Sequence, residues 1–168
     1  MIIFDSSPLI HLTKIGKIEF VLKLFGKIHI PEAVYEEVVE KGLKFGYSDA
    51  ILIQNLEKEK KILKMKTKKQ DPTLMNFLHK GEIEVLQLGE ENAHKKKCLI
   101  VMDEKKGRMV AEQRNLPFIS TAGLILLLLR HEIIKYELYC SNLAKYTSNG
   151  WFSLQNYQQY IKRGKKYE

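Results

Sequence analysis

The sequence predicts an α/β protein in which a central parallel sheet is covered by helices on both faces. Short apolar stretches alternate along the chain with longer stretches of helical periodicity. The apolar stretches, such as Ile2–Phe4 and Leu99–Met102, lack alternating polar residues, which is typical of strands buried on both faces. The length of 168 residues and the hydrophobic content of 45% suit one domain with its own core.

The chain opens with a strand followed by a helix. Ile2–Phe4 is uniformly apolar, and Ser6-Ser7-Pro8 supplies hydroxyl capping groups and a proline suited to a first helical turn. Apolar residues then recur at helical spacing over 9–25, with Gly16 as a break. Because the opening residues form a strand and not a basic leader, we expect no secretory signal and a cytoplasmic location.

The remaining elements continue the alternation. Pro31 is expected to open a helix and Gly42 to close it. The predicted strands are Lys27–Ile30, Lys61–Met65, Cys98–Met102 and Phe118–Ser120. The predicted helices cover 31–41, 47–59, 82–92, 107–114 and 123–130, with a loop or short helix over 71–80 and a helical tail over 133–163 that turns at 148–150.

The charge favours a polyanionic partner, because lysine and arginine outnumber the acids to give a net charge of +8. The basic residues concentrate in runs at 58–69, 94–97, 105–108 and 162–166. Each run alone fits a solvated helix face, but together they favour a basic surface. The candidate nucleic-acid-binding residues are Lys58, Lys60, Lys61, Lys64, Lys105, Lys106 and Arg108. The longest apolar run, Ala122–Leu129, is shorter than the roughly 20 residues of a membrane span, so no membrane role is expected.

Two predicted strands end directly in an acid. Asp5 follows Ile2–Phe4, and Asp103 follows the strand that ends at Met102. In a parallel sheet both carboxylates lie at the same edge, where the sites of α/β proteins form. One such Asp is as readily a helix cap, but two at matching strand ends favour a site.

Two helices add further acids. Glu37 lies at the edge of the apolar stripe of the helix after Pro31. Glu82 begins the apolar stripe of its helix, while Glu84 stands roughly opposite, although a rotation of the helix would reverse this choice. The structural alternative for Glu82 is stabilisation of the first helical turn.

Carboxylates that converge on one edge repel each other, so their pKa values are expected to rise unless a cation binds among them. Oxygen ligands suit Mg²⁺ or Mn²⁺. Two such ions activate water and stabilise the leaving oxygen in phosphodiester hydrolysis, so an acidic edge within a basic surface indicates a nuclease.

Other chemistries lack their motifs, since the sequence has no glycine-rich phosphate loop and no G-x-S-x-G elbow. The aromatic residues of the tail fit packing better than base stacking; they are Trp151, Phe152, Tyr157 and Tyr160.

The chain resembles the PIN domain family, and in particular its DUF3368 branch. The resemblance covers about 1–42 and 80–162. It is carried by Asp5-Ser6-Ser7-Pro8-Leu9-Ile10, Ile30-Pro31-Glu32-Ala33-Val34-Tyr35-Glu36-Glu37-Val38, Gly81-Glu82-Ile83-Glu84 and Met102-Asp103-Glu104-Lys105-Lys106-Gly107-Arg108. Ala122-Gly123-Leu124-Ile125 and the tail from Asn149 to Ile161 also fit that branch.

This resemblance implies an α/β/α sandwich and a Mg²⁺- or Mn²⁺-dependent ribonuclease, often the VapC-like toxin of a toxin–antitoxin pair. Partners would then be single-stranded RNA, an antitoxin protein and a second copy in a homodimer. The family's four acids correspond to Asp5, Glu37, Glu82 and Asp103 as catalytic and metal-binding residues. Glu84 and Glu104 are the alternates for the last two, and Ser7 is the supporting hydroxyl. The alternative is an inactive fold that binds nucleic acid or protein.

The predicted domain organisation is a core over 1–130 and a C-terminal helical extension over 131–168, packed on the same domain. Residues 43–79 carry no motif. Cys98 and Cys140 are expected to be reduced thiols.

Overall fold

A computed structural model describes residues 1–68, 71–93 and 98–168. Five parallel strands form one sheet in the order β3-β2-β1-β4-β5. The strands are β1 (Ile2–Phe4), β2 (Ile28–Pro31), β3 (Ile62–Met65), β4 (Leu99–Val101) and β5 (Phe118–Ile119). Helices flank this sheet, which confirms the predicted α/β/α sandwich. The basic run at 94–97 lies outside the described residues, as does the end of the run at 58–69.

The helices alternate with the strands in the predicted order. Those before β4 are α1 (Ser6–Lys14), α2 (Ile18–Phe25), α3 (Glu32–Tyr35), α4 (Gly42–Lys44), α5 (Ser48–Lys58) and α6 (Lys80–Glu91). Those after β4 are α7 (Lys105–Gln113), α8 (Thr121–Arg130), α9 (Tyr136–Ser148) and α10 (Leu154–Gly164). A π-helical segment, Glu36–Lys41, joins α3 to α4, and short 3₁₀ turns lie at Pro72–Leu74 and Lys165–Tyr167.

The strand order places a crevice between β1 and β4. The chain moves outward from β1 through β2 to β3, and then returns through α6 to the other side of β1. Because crossovers between parallel strands are right-handed, this reversal puts α6 and α7 on the face opposite α1, α2 and α5. The connection after β1 and the connection after β4 therefore leave the crevice in opposite directions. In open α/β sheets, ligands bind in a crevice of this kind, outside the carboxyl ends of the strands.

The strands are buried on both faces, as their unbroken apolar character predicts. Ile2, Ile3 and Phe4 of the central strand are completely inaccessible, and Ile100 and Val101 of β4 are nearly so. Helix α6 packs across β1, β2 and β4. The sheet therefore forms a rigid base whose carboxyl edge holds the acids.

The start and end of the helical segment after β2 differ from the sequence prediction. Pro31 is the last residue of β2, and the helix begins at Glu32. Gly42 does not close the helix, because its φ of −58° is helical and the chain continues to Lys44. A Cβ at Gly42 would lie 2.7 Å from the Ala50 Cβ, so this glycine allows close packing on α5. The residue with the left-handed φ of a helix end is Gly46, at +74°.

The C-terminal helices pack on α8 and on each other. Tyr139 in α9 is completely buried and donates its hydroxyl to the Tyr160 backbone oxygen in α10 at 2.5 Å. Gly164 passes so close to the Tyr139 ring that a Cβ there would overlap it. The division of the chain at residue 130 stays a prediction. Within the described part of the chain, no helix is both long and apolar enough to cross a membrane.

Candidate metal and nucleic-acid site

Asp5 occupies the centre of the crevice. It follows β1, and its backbone N–H donates to the Val101 carbonyl of β4 at 3.0 Å, which ties the two strand ends together. The residue is only 5% exposed. Burial raises the pKa of Asp5 to about 7; a hydrogen bond from the Ser6 backbone opposes this, and neighbouring carboxylates, Glu82 first, raise the pKa further. The raised pKa shows that the surroundings of Asp5 stabilise its charged form poorly.

Glu37 approaches the crevice from the π-helical segment. The Ser6 hydroxyl donates to Glu37 Oε2 at 2.8 Å, so the residue after Asp5 holds this carboxylate. A Cβ on Gly81 would lie 3.5 Å from the same Oε2, which shows how closely the start of α6 approaches Glu37. Single π-helical turns inside helices are frequent at functional sites. This one includes Glu37, which lines the same cavity as Asp5.

Glu82 and Glu84 have different surroundings. Glu82 Oε2 accepts the backbone N–H of His79 at 2.8 Å, as a first-turn acid does, but Oε1 is buried without a hydrogen-bond partner. Glu84 Oε2 accepts the backbone N–H of Ala33 at 2.9 Å and so holds α3 against α6. Glu82 lines the same cavity as Asp5, whereas Glu84 lines a separate one beside Ile83. The geometry supports the choice of Glu82 over Glu84.

A cavity of about 580 Å³ lies at the carboxyl edge of the sheet. Its acidic lining consists of Asp5, Glu36, Glu37, Glu82 and Glu104. Ser7, the predicted supporting hydroxyl, also lines it. Lys41 and Lys80 lie at its wall, and Lys80 is 3.1 Å from Glu36 Oε2. We call this cavity the acidic cavity.

Asp103 lies at the same carboxyl edge, close enough to Asp5 to raise the pKa of Asp5, but its carboxylate does not line the acidic cavity. Its Oδ1 accepts the Thr121 backbone N–H at 2.8 Å. Its Oδ2 accepts the hydroxyls of Thr121 at 2.7 Å and Tyr146 at 2.8 Å, and the His11 ring nitrogen lies 3.5 Å away. The carboxylate is thus bound to α8 and α9, while the adjacent Glu104 lines the acidic cavity.

The electrostatics of Asp103 also differ from the expectation that repulsion raises the pKa of every acid. Burial acts to raise the pKa of Asp103, but the nearby His11 ring and the hydrogen bonds from Thr121 and Tyr146 outweigh it and lower the pKa below its ordinary value. The expected rise in pKa is found for Asp5, where burial is a larger cause than repulsion, and is wrong for Asp103. Three neighbouring residues therefore stabilise a charge that burial alone would penalise.

Several residues around the acids escaped the sequence analysis. Ser6 could have been found, because it shares the strand-to-helix turn with Asp5. Thr121 is the second residue after the end of β5, as Asp103 is the second residue after the end of β4. His11 and Tyr146 carry no local signal, since their contacts with Asp103 come from helices distant in the chain.

The predicted nucleic-acid-binding lysines lie on two different edges of the sheet. Lys105 and Lys106 are exposed at the start of α7, beside Glu104, and Arg108 follows one turn later. Lys58, Lys60 and Lys61 precede β3 and therefore lie at the amino edge, opposite Asp5. Lys61 is also paired with Glu59 at 2.9 Å. Lys64, within β3, lies 4.5 Å from the Tyr35 ring centroid.

The acidic cavity offers the type of donor atom that a divalent cation such as Mg²⁺ or Mn²⁺ prefers. These donors are carboxylate oxygens, Glu82 Oε1 is buried without a partner, and burial raises the pKa of Asp5 to about 7. Across residues 1–68, 71–93 and 98–168, no three His, Cys, Asp or Glu side chains stand close enough together to hold a metal ion. Binding would therefore require the side chains of the acidic cavity to move toward one another.

The comparison with protein families agrees with the fold. The DUF3368 family model, described as a PIN domain, matches residues 1–166. The chain belongs to the PIN domain family, whose fold is of the nuclease type and whose members typically bind divalent metals and act on nucleic acids. No curated protein matches the chain at a significant level.

Proposed function

We propose that the chain is a Mg²⁺- or Mn²⁺-dependent endoribonuclease that hydrolyses phosphodiesters of single-stranded RNA. The observation that carries this proposal is the acidic cavity, where Asp5, Glu37 and Glu82 meet from three separate elements. Glu82 Oε1 is buried in this region without a hydrogen-bond donor. A cation is the partner that relieves such a concentration of negative charge, and oxygen ligands favour Mg²⁺ or Mn²⁺.

The proposal gives each residue a distinct task. Asp5, Glu37 and Glu82 hold the cation, and Ser6 orients Glu37 through its hydroxyl. When bound, the ion supplies the positive charge that acidifies an attacking water and stabilises the leaving oxygen of a phosphodiester. Asp103 fixes the edge of the cavity through Thr121, and Glu104 is the fourth carboxylate that faces the cavity. Lys41 and Lys80 attract the phosphate group to the cavity wall.

The resemblance to VapC-like proteins extends the proposal to a cytoplasmic toxin with an antitoxin partner and a homodimeric assembly. An exposed apolar surface supports a protein partner. Phe45, Tyr47 and Ile51 are 72%, 53% and 51% exposed. The Phe45 and Tyr47 rings precede α5 with their centroids 5.9 Å apart, and Ile51 lies in the first turns of that helix. Apolar surface of this kind is commonly covered by another protein.

A second candidate function is nucleic-acid binding without hydrolysis. It is favoured by the position of Asp103, whose oxygens are already used by Thr121 and Tyr146. The absence of a ready-made set of three metal ligands in the described residues favours it too. RNA binding that is equal in Mn²⁺ and in EDTA, with no hydrolysis, would establish this candidate instead.

Glu82→Gln tests the proposed function against a matched control, Glu84→Gln. Both changes replace one acid by its amide in the same helix, but only Glu82 lines the acidic cavity. We expect Glu82→Gln to reduce Mn²⁺-dependent RNA cleavage by more than the roughly 10–100-fold loss typical of residues one step removed from a metal. Glu84→Gln retains an oxygen for the Ala33 N–H and should keep its activity. Cleavage and Mn²⁺ affinity by calorimetry are the measurements, and equal losses in both variants would contradict the assignment.

Basic residues on the two edges of the sheet are expected to contribute differently to RNA affinity. We expect replacement of Lys105, Lys106 and Arg108 by Gln to weaken binding and reduce its salt dependence. The slope of log affinity against log salt should change by about 0.7 for each phosphate contact that is lost. The matched triple change at Lys58, Lys60 and Lys61 removes the same charge from the amino edge and should leave the slope nearly unchanged. Equal changes in the slope would show that the RNA also contacts the amino edge.

A further inference from the structure

A second cleft lies beside Asp103, which lines it. Its volume is about 370 Å³, at the small end of the ~300–1,000 Å³ range of small-molecule pockets. The rings of Trp151, Phe152 and Tyr160 line it, together with the guanidinium groups of Arg108 and Arg163. We call it the aromatic cleft. Its size suits one nucleotide better than a folded protein.

The aromatic cleft and the acidic cavity are direct neighbours. Asp103 lines the cleft and Glu104 lines the cavity. These residues are consecutive, and consecutive Cα atoms are about 3.8 Å apart. The two sites therefore meet at residues 103–104, where a single nucleic-acid strand can contact both.

The chemistry of the two sites is complementary. The acidic cavity presents carboxylates, whereas the cleft presents two arginines against the single carboxylate of Asp103, which is already hydrogen-bonded. Arg163 lies over the Tyr160 ring, 5.0 Å from its centroid. Aromatic rings and arginine planes stack on unpaired bases, and arginine also binds phosphate.

The rings are held in place before any ligand arrives. Trp151 stacks on His11 with ring centroids 4.0 Å apart, and Phe152 lies 5.4 Å from the Tyr146 ring. Trp151, Phe152 and Tyr160 nevertheless remain partly exposed to the cleft. A platform that is fixed yet accessible loses little conformational entropy when a planar ligand binds.

We propose that the aromatic cleft binds one unpaired nucleobase, with its phosphate on the arginines, next to the nucleotide held at the acidic cavity. This inference rests on the proposed function, because it assigns the cleft to the same RNA strand. It assigns base contacts to residues of the tail whose spacing in the sequence favours packing.

The fluorescence of Trp151, the only tryptophan of the chain, reports directly on the cleft. The full-length protein would be titrated in EDTA with a single-stranded oligoribonucleotide and with an abasic oligomer of equal length. We expect saturable quenching by the first and little quenching by the second, because only a base can stack. Equal quenching by both, or none by either while anisotropy shows binding, would overturn the proposal.

A pair of variants tests the arginine contact. We expect Arg163→Gln to weaken RNA binding about tenfold, the loss typical of one charged hydrogen bond. Lys162→Gln removes the same charge from the adjacent position of α10, which does not line the cleft, and should change affinity less than about twofold. Equal effects of the two variants would contradict the contact. Thermal melting of both variants should match the parent protein.

The proposal and the proposed function fail in different ways. Hydrolysis in Mn²⁺ without quenching or an effect of Arg163→Gln would remove the cleft from RNA recognition and leave the nuclease intact. Quenching in EDTA without hydrolysis in Mn²⁺ would retain the cleft and replace the nuclease by a binding module.

Discussion

Asp5→Asn is expected to abolish Mn²⁺-dependent RNA hydrolysis and, at the same time, to stabilise the ion-free protein. A neutral amide binds a hard cation poorly, so the variant loses the central ligand of the proposed site. Stability should rise because burial raises the pKa of Asp5 from 3.8 to about 7. A residue that merely supports the fold would lower stability when it is replaced.

The pH dependence of this gain follows from the direction of the shift. A carboxyl group with a raised folded-state pKa contributes stability below pH 3.8 that is lost as the pH rises through about 7. The advantage of Asp5→Asn over the parent should therefore be about 2–3 kcal/mol larger at pH 8 than at pH 5. Denaturant unfolding in EDTA at the two pH values measures it.

Asp49→Asn is the matched control for activity. Asp49 is also buried, at 7% exposure, but it lies in the first turn of α5 and does not line the acidic cavity. Cleavage should persist in this variant and vanish in Asp5→Asn. Mn²⁺-dependent cleavage that survives in Asp5→Asn would remove Asp5 from the mechanism.

The sequence indicates those parts of the candidate site that depend on local geometry. The position of Asp5 follows from a strand that ends in an acid, and the choice of Glu82 over Glu84 follows from the apolar stripe of one helix. Both are consequences of periodicity, which the amino-acid order displays directly. The parallel sheet is predicted for the same reason, since its strands are apolar on both faces.

The surroundings of Asp103 could not be predicted in this way. Its partners Thr121 and Tyr146 lie 18 and 43 positions further along the chain, and no spacing rule connects them to a strand end. The same limit applies to charge. The lysines before β3 and those at the start of α7 are similar runs in the sequence, but the topology places them on opposite edges of the sheet.

Asp103→Asn is expected to destabilise the protein by about 1–3 kcal/mol at pH 7, the range for buried hydrogen bonds to a charged group. The sequence alone led to the opposite expectation, namely relief of repulsion. Burial acts to raise the pKa of Asp103, but the His11 ring and the hydrogen bonds from Thr121 and Tyr146 together lower it. The asparagine amide has one oxygen in place of two, so it cannot accept all of these hydrogen bonds. With that oxygen on the Thr121 N–H, the NH₂ group would face the Thr121 and Tyr146 hydroxyls that now donate to Asp103.

The pH dependence again tests the cause. A carboxylate with a lowered folded-state pKa contributes stability above pH 3.8 that is lost as the pH falls through the lower folded value. The difference between parent and Asp103→Asn should therefore be constant near neutrality and shrink in acid. Glu104→Gln changes the exposed neighbour and should stay within about 0.5 kcal/mol of the parent.

A double-mutant cycle with Tyr146→Phe completes this test. If the Tyr146 hydroxyl acts through Asp103, the two changes together should destabilise less than the sum of their separate effects, as expected for groups in direct contact. Additive effects, or an Asp103→Asn variant more stable than the parent, would show that Asp103 is not held by α8 and α9. Asp103 would then be available to the acidic cavity as its fourth cation ligand, in the role that the family resemblance gives it.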